Sequence, residues 1–249
     1  MSIALITGSC GLIGSESVDF FANKGFNIVG IDNNLREIFF GKDGSTIWQR
    51  NKLIKFNKKY THFSSDIRSY KNLEKIFKKY KKNIKVIIHC AAQPSHDYGK
   101  NFPILDFNVN ATGTLNMLEL TKIYCSDAVF INMSTNKVYG DNPNKLNIIE
   151  KSKRWELKSN DKNFKGIRET FSLDNCTHSF FGVSKTYSDL IAQEYGKNVG
   201  LKTASFRGGC ITGPNHSGAK LHGFLSYLVK TSFKNKKYSM IGYKGKQVR

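Results

Sequence analysis

IALITGSCGLIGS, residues 3–15, decides how the rest of the chain is read. A short β-forming run, IALIT (3–7), is followed at once by TGSCGLIGS (7–15), which spaces Gly8, Gly11 and Gly14 as GxxGxxG. Between a strand and a helix, such glycines serve a tight turn, close backbone approach to a pyrophosphate, and helix–strand contact. The helix start beyond them offers unpaired N–H groups and the positive end of its dipole to phosphates. Asp32 ends the next β-rich run, FNIVGID (26–32), at the spacing of a dinucleotide fingerprint. A carboxylate there hydrogen-bonds adenosine ribose hydroxyls and repels a 2′-phosphate, which favours NAD over NADP.

The same alternation continues outward. Further β-rich runs are YTHFSS (60–65), KVIIHC (85–90), AVFINM (128–133) and KTASFR (202–207), with helical stretches between them. In SYKNLEKIFKKYK, Leu73, Ile76, Phe77 and Tyr80 recur at i, i+3, i+4, i+7, an amphipathic helix. A helix after residue 180 is expected to bury a stripe of Val183, Tyr187, Leu190, Ile191 and Tyr195. Strands alternating with helices mean βαβ units. The expected fold is therefore α/β, a Rossmann-type doubly wound parallel sheet with helices on both faces. Residues 36–59 and 141–177 interrupt the rhythm as long polar insertions, either lids or solvated excursions.

Bulk properties narrow the class. The chain has 249 residues, 39% hydrophobic and 23% charged, an ordinary globular composition. No run approaches the ~18 apolar residues of a membrane span, and no basic region precedes the first apolar run, so neither a membrane segment nor a signal peptide is expected. Five scattered cysteines (Cys10, Cys90, Cys125, Cys176, Cys210) form no CxxC pair; free thiols in a reducing cytoplasm are expected, without a metal site. The net charge of +20 comes from lysine spread along the whole chain. It is read as a solvated surface rather than a nucleic-acid interface, and it attracts anionic substrates such as phosphorylated nucleotides.

Further motifs then fall in a known order: SSDIR (64–68), HCAAQ (89–93), NVNATGTLN (108–116), STNKVYGD (134–141), the SK of FFGVSK (180–185) and FRGGCITGP (206–214). The chain resembles the extended short-chain dehydrogenases/reductases, the NAD-dependent nucleotide-sugar epimerases and dehydratases. STNKVYGD and GKQVR (245–249) point to the CDP-paratose 2-epimerase branch. The resemblance covers the whole chain and implies roughly another hundred residues beyond it in the usual family member. Together with the abrupt GYKGKQVR end, that suggests a C-terminally truncated fragment. It implies an NAD-binding Rossmann domain over 1–212, with the insertion at 141–177. Residues 213–249 would begin an incomplete nucleotide-sugar region.

The resemblance also implies roles. Gly8, Gly11 and Gly14 would hold the pyrophosphate, with Leu12 and Ile13 turning onto the helix. Asp32 and Asn33 would take the adenosine ribose, Asp66 and Ile67 border the adenine, and Ala91, Ala92 and Gln93 line the nicotinamide side. Asn108 would support the fourth helix, Ser134 and Thr135 would touch the sugar hydroxyl that is oxidised, and Lys185 would bind the nicotinamide ribose. The implied ligands are NAD and a CDP- or UDP-linked sugar, and the implied assembly of the full-length form is a homodimer.

One position departs from the pattern. The family's catalytic tyrosine, four residues before the lysine, is Phe181 here. In the family that tyrosine takes the proton from a sugar hydroxyl while hydride goes to NAD, and the lysine stabilises the phenolate. General acid–base help is worth ~10²–10⁴-fold. His178, His96, Tyr139 and Lys185 are each candidates for the vacated role, whereas Tyr187 is expected in the core, and no candidate dominates. Asp97 beside His96 and the pair His216 and His222 complete the polar candidates; the latter two lack ligand spacing for a metal. Asn136 and Lys137 stand where a dehydratase carries an Asp-Glu pair, so an epimerase is expected over a dehydratase. The alternative is a protein that binds NAD or a nucleotide sugar with little or no turnover.

Overall fold

The computed structural model describes residues 2–220 and 222–238. The motif GKQVR lies outside the described residues. In chain order the strands are β1 (Ile3–Thr7), β2 (Asn27–Ile31), β3 (Tyr60–Phe63), β4 (Ile84–His89), β5 (Val129–Thr135), β6 (Ile148–Glu150), β7 (Trp155–Leu157) and β8 (Lys202–Gly208). The helices are α1 (Leu12–Asn23), α2 (Leu35–Phe40), α3 (Ile47–Phe56), α4 (Tyr70–Tyr80), α5 (His96–Asn101), α6 (Pro103–Phe107), α7 (Gly113–Tyr124), α8 (Ser179–Lys197) and α9 (Phe224–Phe233).

Six strands form one parallel sheet in the order β3-β2-β1-β4-β5-β8. The chain starts at the centre, winds outward to β3, returns and winds the other way. The switch falls between β1 and β4, where an open α/β sheet binds its ligands beyond the strands' carboxyl ends. All six β-rich runs read from the sequence are these strands, with ends moved by one or two residues.

Helices cover both faces, which is why the strands are apolar along their length. On one face Ile3, Leu5 and Ile31 pack with Leu73, Ile76 and Phe77 of α4, Met117 and Leu118 of α7, and Ala192 of α8. On the other, Ala4, Ile6 and Ile28 pack with Val18 and Ala22 of α1 and Leu53 of α3. The expected stripe of α4 is thus the buried one, with Tyr80 packed against its margin.

Both insertions acquire structure. Residues 36–59 fold largely into α2 and α3, because Gln49 and Leu53 find a buried face. Residues 141–177 carry a short 3-10 helix at Asn142–Lys145 and the antiparallel β6–β7 hairpin, and otherwise run irregularly.

The stripe expected on α8 is corrected. Val183 and Leu190 are exposed and Tyr187 is half-buried beside Phe107, not in the core. The buried face carries Phe181, Gly182, Ser184, Lys185, Ser188, Asp189, Ala192 and Tyr195. Small and polar side chains line it because α8 crosses the end of β5, where polar partners await it.

Candidate active site

The glycine loop forms a cradle that side chains would fill. Gly8 has φ +62°, and a Cβ there would meet the backbone nitrogen of Ala91 at 2.8 Å. A Cβ on Gly14 would lie 2.0 Å from the Gly8 carbonyl oxygen. Helix α1 starts at Leu12 and Ile13 with no side-chain cap and no acidic residue in its first turn. Its first N–H groups therefore face outward without an intrahelical acceptor, the arrangement that receives phosphate oxygens.

Asp32 closes the loop from β2. Its Oδ2 accepts from the Cys10 amide at 3.0 Å and its Oδ1 from the Asn34 amide at 2.8 Å. Burial raises its carboxyl pKa, and those two amides work against the rise. Asn33 donates to Asp66 at 3.1 Å. Burial raises the Asp66 carboxyl, but the Arg68 guanidinium and amide outweigh it and hold it low. Ile67 instead packs inward on Gly113 in the core. Tyr60 lies beneath the loop, its hydroxyl 2.8 Å from Ser9 Oγ.

Across the switch point, Ala91 and Ala92, both half-buried, follow the end of β4, and the Ala91 amide donates to Thr7 at 3.1 Å. Gln93 is fully buried, its carboxamide tied to Asp106 and to the Ser95 backbone. It braces the wall rather than lining an open cleft. The partner it braces is Asn110, a residue the sequence reading passed over. Asn110 Oδ1 accepts from the Gln93 amide at 2.8 Å, and its Nδ2 donates to the Gln93 carbonyl, to Asp106 and to Ser184. Asn108, singled out from the same motif, is half-buried, and its Oδ1 accepts from Thr112 Oγ1 at 3.4 Å. The chain widens into one π-helical turn at Asn108–Thr112, a feature that gathers at functional sites. The signal available in the sequence was the asparagine three residues before Gly113-Thr114.

At the end of β5, Ser134 donates to Asp189 Oδ2 at 2.5 Å. Asp189 also receives Arg207 through Nε at 3.1 Å and Nη2 at 2.8 Å. Burial raises the Asp189 carboxyl, but Arg207 and Ser134 pull it below the ordinary carboxylate range. Asp189 and Arg207 were also missed, although Asp189 lies four residues after Lys185 on the same helical face. Lys185 is buried, and its Nζ donates to the Met133 carbonyl at 2.9 Å. Burial pushes its ammonium down to about 8, against the pull of Asp189 and Asp106. Thr135 accepts from the Lys137 amide at 3.2 Å and caps the turn that follows.

The candidates for the vacant proton-transfer role separate. His178 Nε2 bonds the Val138 carbonyl at 2.8 Å and belongs to the wall. Tyr139 receives Arg207 Nη1 at 3.0 Å and is nearly buried under its guanidinium. The same guanidinium bonds the Glu169 carbonyl at 3.0 Å, so the 141–177 insertion is anchored to the site's edge. His96, at the start of α5, meets the Phe181 ring edge-on at 4.9 Å between centroids. Its neighbour Asp97 lies in the first turn of α5.

The segment after β8 is cross-linked to the first half of the chain. Arg36 donates to the Ser217 carbonyl at 2.9 Å, Trp48 Nε1 donates to Ser217 Oγ at 2.9 Å, and Lys230 pairs with Asp43 at 2.7 Å. His216 and His222 pack T-shaped at 5.6 Å. Burial, with Arg36 nearby, lowers them to about 4 and about 3, so both rings are neutral at pH 7. Among the described residues no group of three or more histidine, cysteine or acidic side chains is placed to hold a metal. No described helix is long and apolar enough to cross a membrane.

The model of the NAD-dependent epimerase/dehydratase family matches residues 4–249. CDP-paratose 2-epimerase of Salmonella typhi is 31% identical over 251 residues, 98% of this chain and 69% of that protein. UDP-glucose 4-epimerase of Thermus thermophilus, solved with NAD, superposes with a TM-score of 0.70 at 24% identity, over 94% of this chain and 63% of that one. A tyrosine-to-phenylalanine mutant of UDP-glucuronic acid 4-epimerase from Bacillus cereus, solved with NAD and a fluorinated UDP-sugar, gives 0.71 at 24% identity, over 97% and 66%. The two structures establish the shared fold. The chain spans roughly two thirds of the length of these proteins.

Proposed function

The chain belongs to the NAD-dependent epimerase/dehydratase family, and from that premise we propose that it is a nucleotide-sugar epimerase working on a CDP- or UDP-linked sugar. One observation carries the reading: a glycine cradle shaped for a dinucleotide and a buried lysine beside Ser134 stand at the carboxyl ends of β1 and β5, flanking the switch point. When bound, NAD supplies a hydride acceptor and donor for a sugar carbon.

The chain's own residues divide the remaining work. Gly8, Gly11 and Gly14, with the amides of Leu12 and Ile13, receive the pyrophosphate. Asp32 and Asn33 hold the adenosine ribose, and Asp66, with the backbone of Ile67, borders the adenine. Ala91 and Ala92 floor the nicotinamide end, while Gln93 and Asn110 hold that floor rigid; Asn108 closes the turn above them. Lys185 reaches the nicotinamide ribose as a cation. Ser134 donates its proton to Asp189, so toward a sugar it presents lone pairs and accepts from the hydroxyl to be oxidised. Thr135 lies beside it at the rim. Residues 1–212 would form the cofactor domain and 213–249 the start of the sugar-binding part.

The outer face of α6 and α8 supports a homodimer. Ile104, Phe107, Phe180 and Val183 are exposed there around a cavity of about 590 Å³, and Leu190 is exposed further along α8. Contiguous apolar surface of this kind marks an interface. Five free cysteines suit a reducing cytoplasm.

Calorimetric titration with NAD, then with CDP-paratose and UDP-glucose in its presence, tests the binding half of the reading. Chromatography of the recovered sugars tests turnover. A second reading, binding without turnover, rests on Phe181, which carries no hydroxyl where the family places one; binding with no epimer formed would select it.

A further inference from the structure

We propose that Ser217 is a positioning residue that sets how tightly the nucleotide sugar is held, and that residues 34–48 are the clamp that acts through it. This rests on the epimerase reading above. The stretch after β8 forms an arch over the carboxyl ends of the sheet. At one end Gly208 stands in register with Thr135, next to Ser134. At the other, a Cβ on Gly213 would lie 3.3 Å from Leu12 at the start of α1, and Asn215 donates to Glu16 at 2.7 Å. β5 and β4 lie between these two ends in sheet order, so the arch crosses the switch point.

Ser217 is where the arch is gripped. Its carbonyl accepts from Arg36 Nη2 at 2.9 Å, its Oγ accepts from Trp48 Nε1 at 2.9 Å, and the same hydroxyl donates to the Ser45 carbonyl at 3.0 Å. The residue is buried, so removing its hydroxyl would leave the groups it bonds without a partner.

The clamp is itself rooted at the cofactor side. Asn34 is held at φ +57°, a left-handed conformation that asparagine adopts more readily than most residues. Its amide donates to Asp32 Oδ1 at 2.8 Å, and its Oδ1 accepts from the Thr46 amide at 2.7 Å and from Thr46 Oγ1 at 3.1 Å. Hydrogen bonds thus lead from Asp32 through Asn34 to residues 45–46, and from there to Ser217. Arg36 reinforces the grip. Burial lowers its guanidinium to about 10 against the pull of Asp32, and it stays charged at pH 7. It lies 4.9 Å from the Phe40 ring centroid, and Phe40 stacks on His222 at 5.1 Å. Phe39 meets Tyr98 of α5 at 4.8 Å, so α2 reaches from the end of β2 to α5.

An arch held in place before the ligand arrives spares the ordering entropy that binding would otherwise include. Released from Ser217, it must be ordered at each binding event, and the cost falls on sugar affinity. Gly8, Gly14 and Asp32 make no bond to Ser217, so cofactor affinity is spared. Ser134 and Lys185 stand at the arch's other end, so the chemical step is spared once the sugar is bound.

The test is calorimetric titration of wild type, Ser217→Ala, Trp48→Phe and the double variant with NAD, then with CDP-paratose and UDP-glucose at saturating NAD. Ser217→Ala removes both hydroxyl bonds and should weaken binding of the sugar that wild type takes on the order of 10-fold, with NAD affinity unchanged. Where epimer forms, KM should rise and kcat stay. Trp48→Phe keeps an aromatic ring and loses only the N–H donor, and should weaken the sugar several-fold. The double variant should be no weaker than Ser217→Ala, because the Trp48 bond ends on the hydroxyl already removed. If circular dichroism shows that Ser217→Ala does not fold, Trp48→Phe decides. Unchanged sugar affinity in the deciding variant, an equal loss of NAD affinity, a fall in kcat at unchanged KM, or losses that add in the double variant overturns the assignment and leaves the epimerase reading standing. A wild type that binds neither nucleotide sugar, with or without NAD, removes both.

Discussion

Gly14→Ala puts the glycine cradle to its hardest test. The added Cβ would sit 2.0 Å from the Gly8 carbonyl oxygen, 2.7 Å from the Gly8 carbonyl carbon and 2.8 Å from Ser9 Cα. Ordinary carbon–oxygen contacts lie at ~3.3 Å or more, so the overlap is about 1.3 Å, and every atom met belongs to backbone. No rotamer change relieves it; α1 must back away from the loop. Overpacking of this kind costs ~1–3 kcal/mol, and rigid backbone puts it at the upper end. At ~2–4 °C per kcal/mol for a chain of this size, the melting temperature should fall by roughly 6–12 °C. NAD affinity should drop more than ~10-fold as the amides of Leu12 and Ile13 leave the loop. Gly11→Ala is the matched control. Its Cβ would meet only the Gly8 oxygen at 3.3 Å, so thermal stability should stay close to wild type, while the methyl blocks the approach of the pyrophosphate and NAD binding fails. The assays are differential scanning fluorimetry and calorimetric titration with NAD. Gly14→Ala melting with wild type, or Gly11→Ala binding NAD with wild-type affinity, would refute the reasoning.

Three further outcomes follow from the site. Arg207→Met leaves the Asp189 carboxylate buried without its guanidinium, and chemical denaturation should show a loss of ~3–5 kcal/mol. Because the folded Asp189 pKa is depressed, its contribution is present above the ordinary carboxylate range and lost as pH falls through the lowered value; the variant should lack that acid-limb loss of stability. Lys185→Met removes a buried cation and should stabilise the fold at pH 7 by ~2 kcal/mol even as turnover disappears. A lysine held at about 8 gives wild-type stability that rises with pH from there toward the unfolded value, a rise that melts of the variant across that range should not show. Val183→Asp places a charge on the exposed apolar face of α8 and should convert a dimer to a monomer by light scattering, with the melting temperature of the monomer little changed.

The sheet was legible because its strands are buried on both faces. Ile3, Leu5 and Ile6 are fully buried, and a strand enclosed on both sides reads as an unbroken apolar run that few other contexts produce. The cradle was legible for a different reason: Gly8 and Gly14 sit where no side chain fits, so steric necessity is written directly into residue type. The supporting network was harder to read. Asn110, Asp189 and Arg207 act through hydrogen bonds to residues 17, 55 and 18 positions away in sequence, and no local periodicity records such pairings. Asn110 lies in the π-helical turn Asn108–Thr112, a widening of the helix that leaves no compositional trace.

Helix α8 shows why the error there is informative. Apolar periodicity pointed to Val183 and Leu190 as the inner face, yet both are exposed, and the true inner face includes Ser184, Lys185, Ser188 and Asp189. A helix that turns serines, a lysine and an aspartate inward gives up apolar burial it would otherwise gain. It is tolerated because each inward polar group has a partner on β5, α6 or α7: Lys185 on Met133, Asp189 on Ser134, Ser184 on Asp106, Ser188 on Thr114. Local rules are broken in this way where function constrains the fold. Phe181 heads that inner face, and Ala192 and Tyr195 are its apolar members further along the helix. A chain that had abandoned chemistry at this site would be free to convert the rest of the face to ordinary core. The polar face persists around Phe181 with each of those groups hydrogen-bonded, and it is this retained order, more than the missing phenol, that supports the epimerase reading over binding without turnover.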